Sequence, residues 1–225
     1  MKMSVFLTAT TALTLYAAQT IAADTPARRP PSHTVVLYSQ NSNFGQGIVS
    51  DNFSSAMSSY DAIGADDFVV PAHQTWQITE ADVTGTYVSG PGPASSVVVT
   101  FWSGVFPQRI AQHGADTFPL SCTDNAGSFA CTLPLSSRGR PLVRLRGGSA
   151  GKRFWLSVVA NCDFTTCGQW EWTTNTTVHD GEAEWKNAGE GWHTPCGTGW
   201  GTLRACFNLP PTDLAFTLIG YAKGS

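Results

Sequence analysis

Charge is scarce in this sequence. Asp, Glu, Lys and Arg together make up 13% of its 225 residues, and the net charge is −3. A weakly acidic chain has no global attraction for nucleic acid, so no such partner is expected. Long hydrophobic runs are also missing. The longest moderately apolar stretch, Val5 to Ala18, is too short and too rich in threonine to cross a bilayer, so no membrane span is expected. The sequence has no Cys-x-x-Cys and no zinc-type histidine spacing. It also lacks HExxH, a P-loop, a dinucleotide fingerprint, a serine nucleophile elbow and a catalytic-cysteine signature. These absences remove the reactions that announce themselves in a short motif. Glycosidase and lyase sites leave no such motif, so hydrolysis stays open. Heptads and internal repeats are absent too, which excludes a coiled coil or a solenoid.

What is present points outside the cell. Lys2, the apolar run, and small residues at Ala22 and Ala23 before Asp24 read as a cleaved signal peptide over residues 1–23. Residues 24–33, DTPARRPPSH, read as a flexible lead-in. Residues 34–225 are then long enough for a single domain with a full core. Six cysteines behind a signal peptide read as disulfides. Three local pairs are favoured, Cys122–Cys131, Cys162–Cys167 and Cys196–Cys206, because each brackets a turn-rich segment that a bridge would staple.

From Thr34 onward, short apolar or alternating runs are separated by Gly, Pro, Asn and Ser, the pattern of strands and turns. Strands are predicted at 34–39, 66–71, 75–88, 95–104, 128–133, 141–146, 153–161, 169–174 and 214–221. Val143 and Leu145 oppose Arg144 and Arg146, and Leu214, Phe216 and Leu218 share one face. The segment 50–64 is either a short helix or an irregular loop. Nine or ten strands without βα alternation predict an all-β, antiparallel, jelly-roll-like β-sandwich with disulfide-stapled loops. Residues 175–213 hold Gly, Trp, His, Cys and Pro with little alternation; a loop of that length is usually functional or carries short strands of its own, such as AEWKN.

The runs LYSQNSNFGQGIVSDNF, ADDFVVPAHQTWQITEADVTGTY and SSVVVTFW, followed by RFWLSVVAN, GQWEWTTNT, AEWKNAGEGW and TGWGTLRACF, resemble a group of bacterial secreted proteins. Members are single β-sandwich units or repeated modules of extracellular, surface-attached proteins, without established catalytic residues. ADDF followed by a Pro turn and a Trp-bearing strand is more loosely similar to galactose-binding-like and carbohydrate-binding jelly rolls. The resemblance implies a bacterial, extracellular β-sandwich. GYAKGS carries no hydrophobic sorting signal, so free secretion is expected.

The candidate site begins at Trp170-Glu171-Trp172. In a strand the two tryptophans share a face and Glu171 takes the other. If exposed, the two indoles form a platform for sugar rings that Trp185, Trp192 and Trp200 would wall, with His193 donating to a ligand. If buried, they are core fillers, and Glu171 is an ordinary surface carboxylate. If Glu171 instead points inward, its raised pKa would suit acid catalysis, and WEW faintly echoes the glutamic peptidases. Asp66 and Asp67 head a strand, where jelly rolls can hold calcium, the one cofactor the sequence admits; turn capping is the alternative. His179, Asp180, Glu182 and Glu184 could bind a metal, flank a glycosidic bond or form a solvated loop. Arg138, Arg140, Arg144 and Arg146 make a basic stripe suited to an anionic glycan or lipid head group, or to a protected sheet edge. Asn52 and Asn175 match the glycosylation sequon but are expected bare in a bacterial protein.

The favoured function is a secreted, non-catalytic module binding a glycan or cell-surface component. A structural or adhesive protein is the alternative, and a secreted glycan-active or glutamic-peptidase-like hydrolase comes third. The sequence leaves oligomeric state open.

Overall fold

The computed structural model describes residues 33–103 and 117–224; the signal peptide, and the lead-in apart from His33, lie outside the described residues. The described residues form an all-β sandwich of antiparallel sheets closed by three disulfides. The first sheet contains β1 (Val35–Ser39), β5 (Gln74–Val83), β9 (Thr123–Asn125), β10 (Ser128–Thr132), β11 (Val143–Arg146) and β17 (Phe216–Gly224). Its order is β1-β17-β5-β10-β9, with β11 beside β10 along the same edge of β5. The second sheet contains β3 (Asp51–Asn52), β4 (Ile63–Val70), β7 (Ser96–Ser103), β8 (Thr117–Leu120), β12 (Lys152–Asn161), β14 (Glu184–Lys186) and β15 (Trp200–Thr202). Its order is β15-β14-β4-β12-β7-β8, and β3 joins β12 as a parallel pair. The third sheet holds β2 (Phe44–Val49), β6 (Gly85–Val88), β13 (Gln169–Asn175) and β16 (Asp213–Leu214).

Phe68 on β4 shows how the layers meet. Its ring contacts Phe101 and Phe154 of its own sheet, and Trp76, Phe216 and Tyr38 of the first. Phe68 is fully buried. The alternation read from the sequence places these rings, since Phe154, Leu156 and Val158 leave β12 on the face opposite to Arg153, Trp155 and Ser157. Phe216 also touches Trp172 on β13, so the third sheet shares the same core.

All nine predicted strands overlap observed ones, but the described residues contain seventeen strands rather than nine or ten. The run 75–88 breaks at Thr84, whose amide donates to the Ala215 carbonyl and whose hydroxyl bonds Asn41. That corner sends β5 into the first sheet and β6 into the third. The strands without a predicted counterpart include β3, with two residues, and β9 and β15, with three, too short to show a period. Segment 50–64 holds a 3-10 helix, Ser55–Tyr60, without a buried residue. Segment 175–213 carries β14, β15, the helix α1 (Leu203–Phe207) and β16. Thr202 caps α1 by accepting the Ala205 amide, and Asn208 ends it in the left-handed region with φ 55°.

The three disulfides join Cys122–Cys131, Cys162–Cys167 and Cys196–Cys206, the favoured pairs. Gly201 lies against the last of them, where a β-carbon would collide with the Cys196 sulfur.

Candidate functional site

The tryptophan platform does not exist as an exposed surface. Trp170, Trp172 and Trp185 have no solvent exposure, which corrects the reading of these three as ligand-stacking residues. The cause is the direction of β13. Its inner face meets Phe129 of β10, whose ring stacks on Trp170 at 4.9 Å, and Trp172 lies 6.1 Å from Trp170. Each indole N–H is satisfied internally: Trp170 donates to Gly127 O, Trp172 to Ala215 O and Trp185 to Val49 O. Such tryptophans hold the sheets together. Glu171 faces the other way and accepts from Gln169 Nε2 at 2.7 Å. It is half-buried, not inward, so the inward-acid reading of Glu171 is also set aside.

Trp192 behaves differently. With Phe53, Met57, Tyr60, Phe164 and Gln169 it lines an open concavity of about 260 Å³. All six are half-buried, so each presents part of its side chain to solvent. The Tyr60 and Trp192 rings meet edge to face at 5.5 Å, and Phe53 meets Phe164 at 6.2 Å. Three chain segments converge here: the 3-10 helix with its approach, the loop closed by Cys162–Cys167, and the turn after β14. Asn187, 1% exposed, ties two of them together. Its Nδ2 donates to Ser59 O at 2.7 Å and Asp61 O at 2.8 Å, while its Oδ1 accepts the Trp192 amide at 3.1 Å. Trp192 Nε1 donates to Tyr60 O at 2.7 Å, fixing the indole. Asp51 Oδ2 accepts the amide of Trp170, the residue after Gln169, and burial pushes the Asp51 carboxyl up to about 8.

Such a cup can stack the apolar face of a ring and offer it one amide. Gln169 gives its N–H to Glu171, which leaves its Oε1 free to accept among the described residues. Phe53, Met57, Tyr60, Phe164, Gln169 and Asn187 were missed in the sequence. A partial signal existed, because Met57 and Tyr60 stand three apart, one turn of the 3-10 helix. His193, also expected at the site, is exposed at φ 48° and is not among the six lining residues. Trp200, half-buried on β15, does not line the concavity either.

The Asp66–Asp67 pair sits in a buried polar network. Asp66 Oδ2 accepts Gln40 Nε2 and the Leu214 amide, both at 2.5 Å, and its Oδ1 accepts the Asp67 amide at 2.8 Å. Asp67 pairs with Arg153 Nη1 at 2.5 Å and accepts the Gly181 amide at 3.0 Å. Asp213, also fully buried, accepts the His179 amide at 2.6 Å. Calcium needs six to eight oxygen ligands. Here N–H groups and a guanidinium already occupy these carboxylates, and the described residues contain no group of three or more acidic, His or Cys side chains able to hold a metal. The calcium reading of Asp66 and Asp67 is therefore corrected to strand fastening. Burial raises Asp66 well above the ordinary carboxylate range, with Asp213 adding to the effect. Burial also pushes Asp213 to about 7 and Asp67 to about 6, the latter against the pull of Arg153. In the HDGEAE loop, Glu182 pairs with Arg204 at 2.9 Å, and burial followed by the charge of Glu182 pushes Glu184 to about 7.

No protein-family model matches the chain, and no curated protein matches it. A solved structure with a similar arrangement is the crystal structure of the cysteine protease and lectin-like domains of Cwp84, a surface layer associated protein of Clostridium difficile. It shares 8% identity at a TM-score of 0.37; the match covers 73% of this chain, which spans 32% of that one.

Proposed function

We propose that this protein is an extracellular, non-catalytic β-sandwich module, with residues 34–225 as its single domain, that holds a glycan or another cell-surface component in the aromatic concavity at Trp192. The observation that carries the reading is the cup itself: an indole, a phenol, two phenyl rings and a thioether around about 260 Å³ of open space, with one amide at the edge. Cups of this composition bury a ring by stacking and orient it with few polar contacts. The three disulfides support an oxidising compartment, as expected behind a signal peptide.

The test is binding of the oxidised protein to a broad panel of neutral and charged glycans, run beside Trp192→Ala and Tyr60→Ala. Saturable binding by the wild type, weakened at least about tenfold in either folded variant, is the expected result. Binding that both variants retain would place the ligand elsewhere. An empty panel would turn the reading towards a structural or adhesive role.

A further inference from the structure

A second concavity, on the outer face of the first sheet, differs in chemistry. It encloses about 470 Å³ and is lined by Thr75, Arg144, Arg146, Gly148, Lys223 and Gly224. Strand register explains the convergence. Arg146 pairs with Thr75 on β5, and Thr75 pairs on its other side with Lys223 of β17. Arg144 lies opposite Gln77, and Gln77 opposite Tyr221. Adjacent strands lie about 4.8 Å apart, and alternate residues of one strand about 6.6 Å apart. The three cations therefore form a triangle on one face, with the largely buried Thr75 and Gln77 on the strand between them.

Among the described residues nothing neutralises these cations. Arg153 and Arg204 each have a carboxylate partner, whereas among the described residues Arg144, Arg146 and Lys223 have none within ion-pair distance. Arg144 and Arg146 are exposed, as are Arg138 and Arg140 on the loop leading into β11. In a chain of net charge −3 this is a local concentration against the overall sign. Protection of the β11 edge accounts for charged residues on β11 alone. It does not account for Lys223, which comes from the far side of β5.

We infer that this groove binds an acidic polysaccharide, one bearing carboxylate or sulfate groups at intervals along its length. Cations spread over two strands match anionic groups spaced along a polymer better than they match one small anion. The guanidiniums give planar, bidentate recognition of carboxylate or sulfate, and Thr75, largely buried, forms the floor between them. The lining presents no large apolar side chain that would enter a membrane. The inference deepens the glycan-binding reading but uses a different surface from the Trp192 cup.

The experiment measures binding of the full chain to polygalacturonate, dextran sulfate and neutral dextran by calorimetry over a range of salt, with anionic phospholipid vesicles and duplex DNA as comparisons. Expected is binding to one or both acidic polymers, none to neutral dextran, and an affinity that falls steeply as salt rises. Arg144→Gln with Arg146→Gln should weaken it at least about tenfold, Arg144→Lys with Arg146→Lys less, and Trp192→Ala not at all. Lys223→Gln, on the other strand, should weaken it independently. The inference is overturned if neither acidic polymer binds, if the glutamine variants bind as wild type does, or if vesicles or DNA bind as tightly as the polysaccharides. Polyanion binding that survives Trp192→Ala while neutral glycans fail to bind would retire the Trp192 cup alone; neutral-glycan binding without polyanion binding would retire this groove alone.

Discussion

Gln40 and Asp66, 26 positions apart, meet inside the sandwich with the amide Nε2 2.5 Å from carboxyl Oδ2. Both side chains are buried, and the Leu214 amide reaches the same oxygen. One carboxyl thereby fastens the end of β1 to β4 and β16. Replacing it with alanine strands three donors in the interior. Asp66→Ala should cost about 3–5 kcal/mol in urea-unfolding free energy. Asp66→Asn, which keeps the shape and one acceptor, should cost clearly less. Equal losses would show that the hydrogen bonds contribute little.

Stability should fall as pH rises. Burial lifts Asp51 from 3.8 to about 8, Asp213 to about 7, Asp67 to about 6 and Asp66 well upward. A carboxyl with a higher pKa in the folded chain than in the unfolded one holds more protons when folded, so the slope of stability against pH is negative. The stabilisation is complete below the ordinary aspartate value and is lost on the way to pH 8. Thermal scans from pH 4.5 to 9 should show Tm highest at the acid end and several degrees lower at pH 9. Asp66→Asn should flatten part of that slope. A Tm that climbs across the range would contradict the burial of these groups.

Two tryptophan substitutions should separate. Trp172→Ala removes a fully buried indole and its bond to Ala215, and should cost about 3–5 kcal/mol of unfolding free energy. Trp192→Ala opens the half-buried cup, should cost less, and should abolish quenching of tryptophan fluorescence by a bound glycan. Similar stability losses in the two variants would mean that Trp192 is core rather than cup.

Asn187→Ala should loosen the cup without touching its lining. The side chain makes three hydrogen bonds, to Ser59, Asp61 and Trp192. A loss of about 2–4 kcal/mol is expected, with amide exchange accelerated at residues 55–61 and 187–193 and little changed in β12. Uniform acceleration would instead mean that Asn187 supports the whole sandwich.

The sandwich was legible because its long strands announce themselves. Val143-Arg144-Leu145-Arg146 alternates in sequence and alternates in burial. The disulfides were legible because each pair is close in sequence around a turn. The cup was not, because its members come from distant segments: Met57 and Trp192 meet only after β4 and β14 pair, through Trp185↔Gly64 and its neighbours. The Trp-Glu-Trp stretch misled for a physical reason. Two tryptophans on one strand face serve a platform and a core equally well, and only the strand facing them, with Phe129 on it, decides. Asp66 and Asp67 misled likewise, since carboxylates gathered by amides look in sequence like carboxylates waiting for a cation.

The pairing of Val35 with Gly220 carries a kinetic consequence. Strand β1 finds its neighbour β17 only after all the intervening strands have been made. Until then β5 lacks β17 along one side, and the open backbone edge can recruit another chain. Contacts of such long sequence separation make folding slow, so the vulnerable interval lasts until β17 is complete. A chaperone that shields extended strand edges would act in that interval.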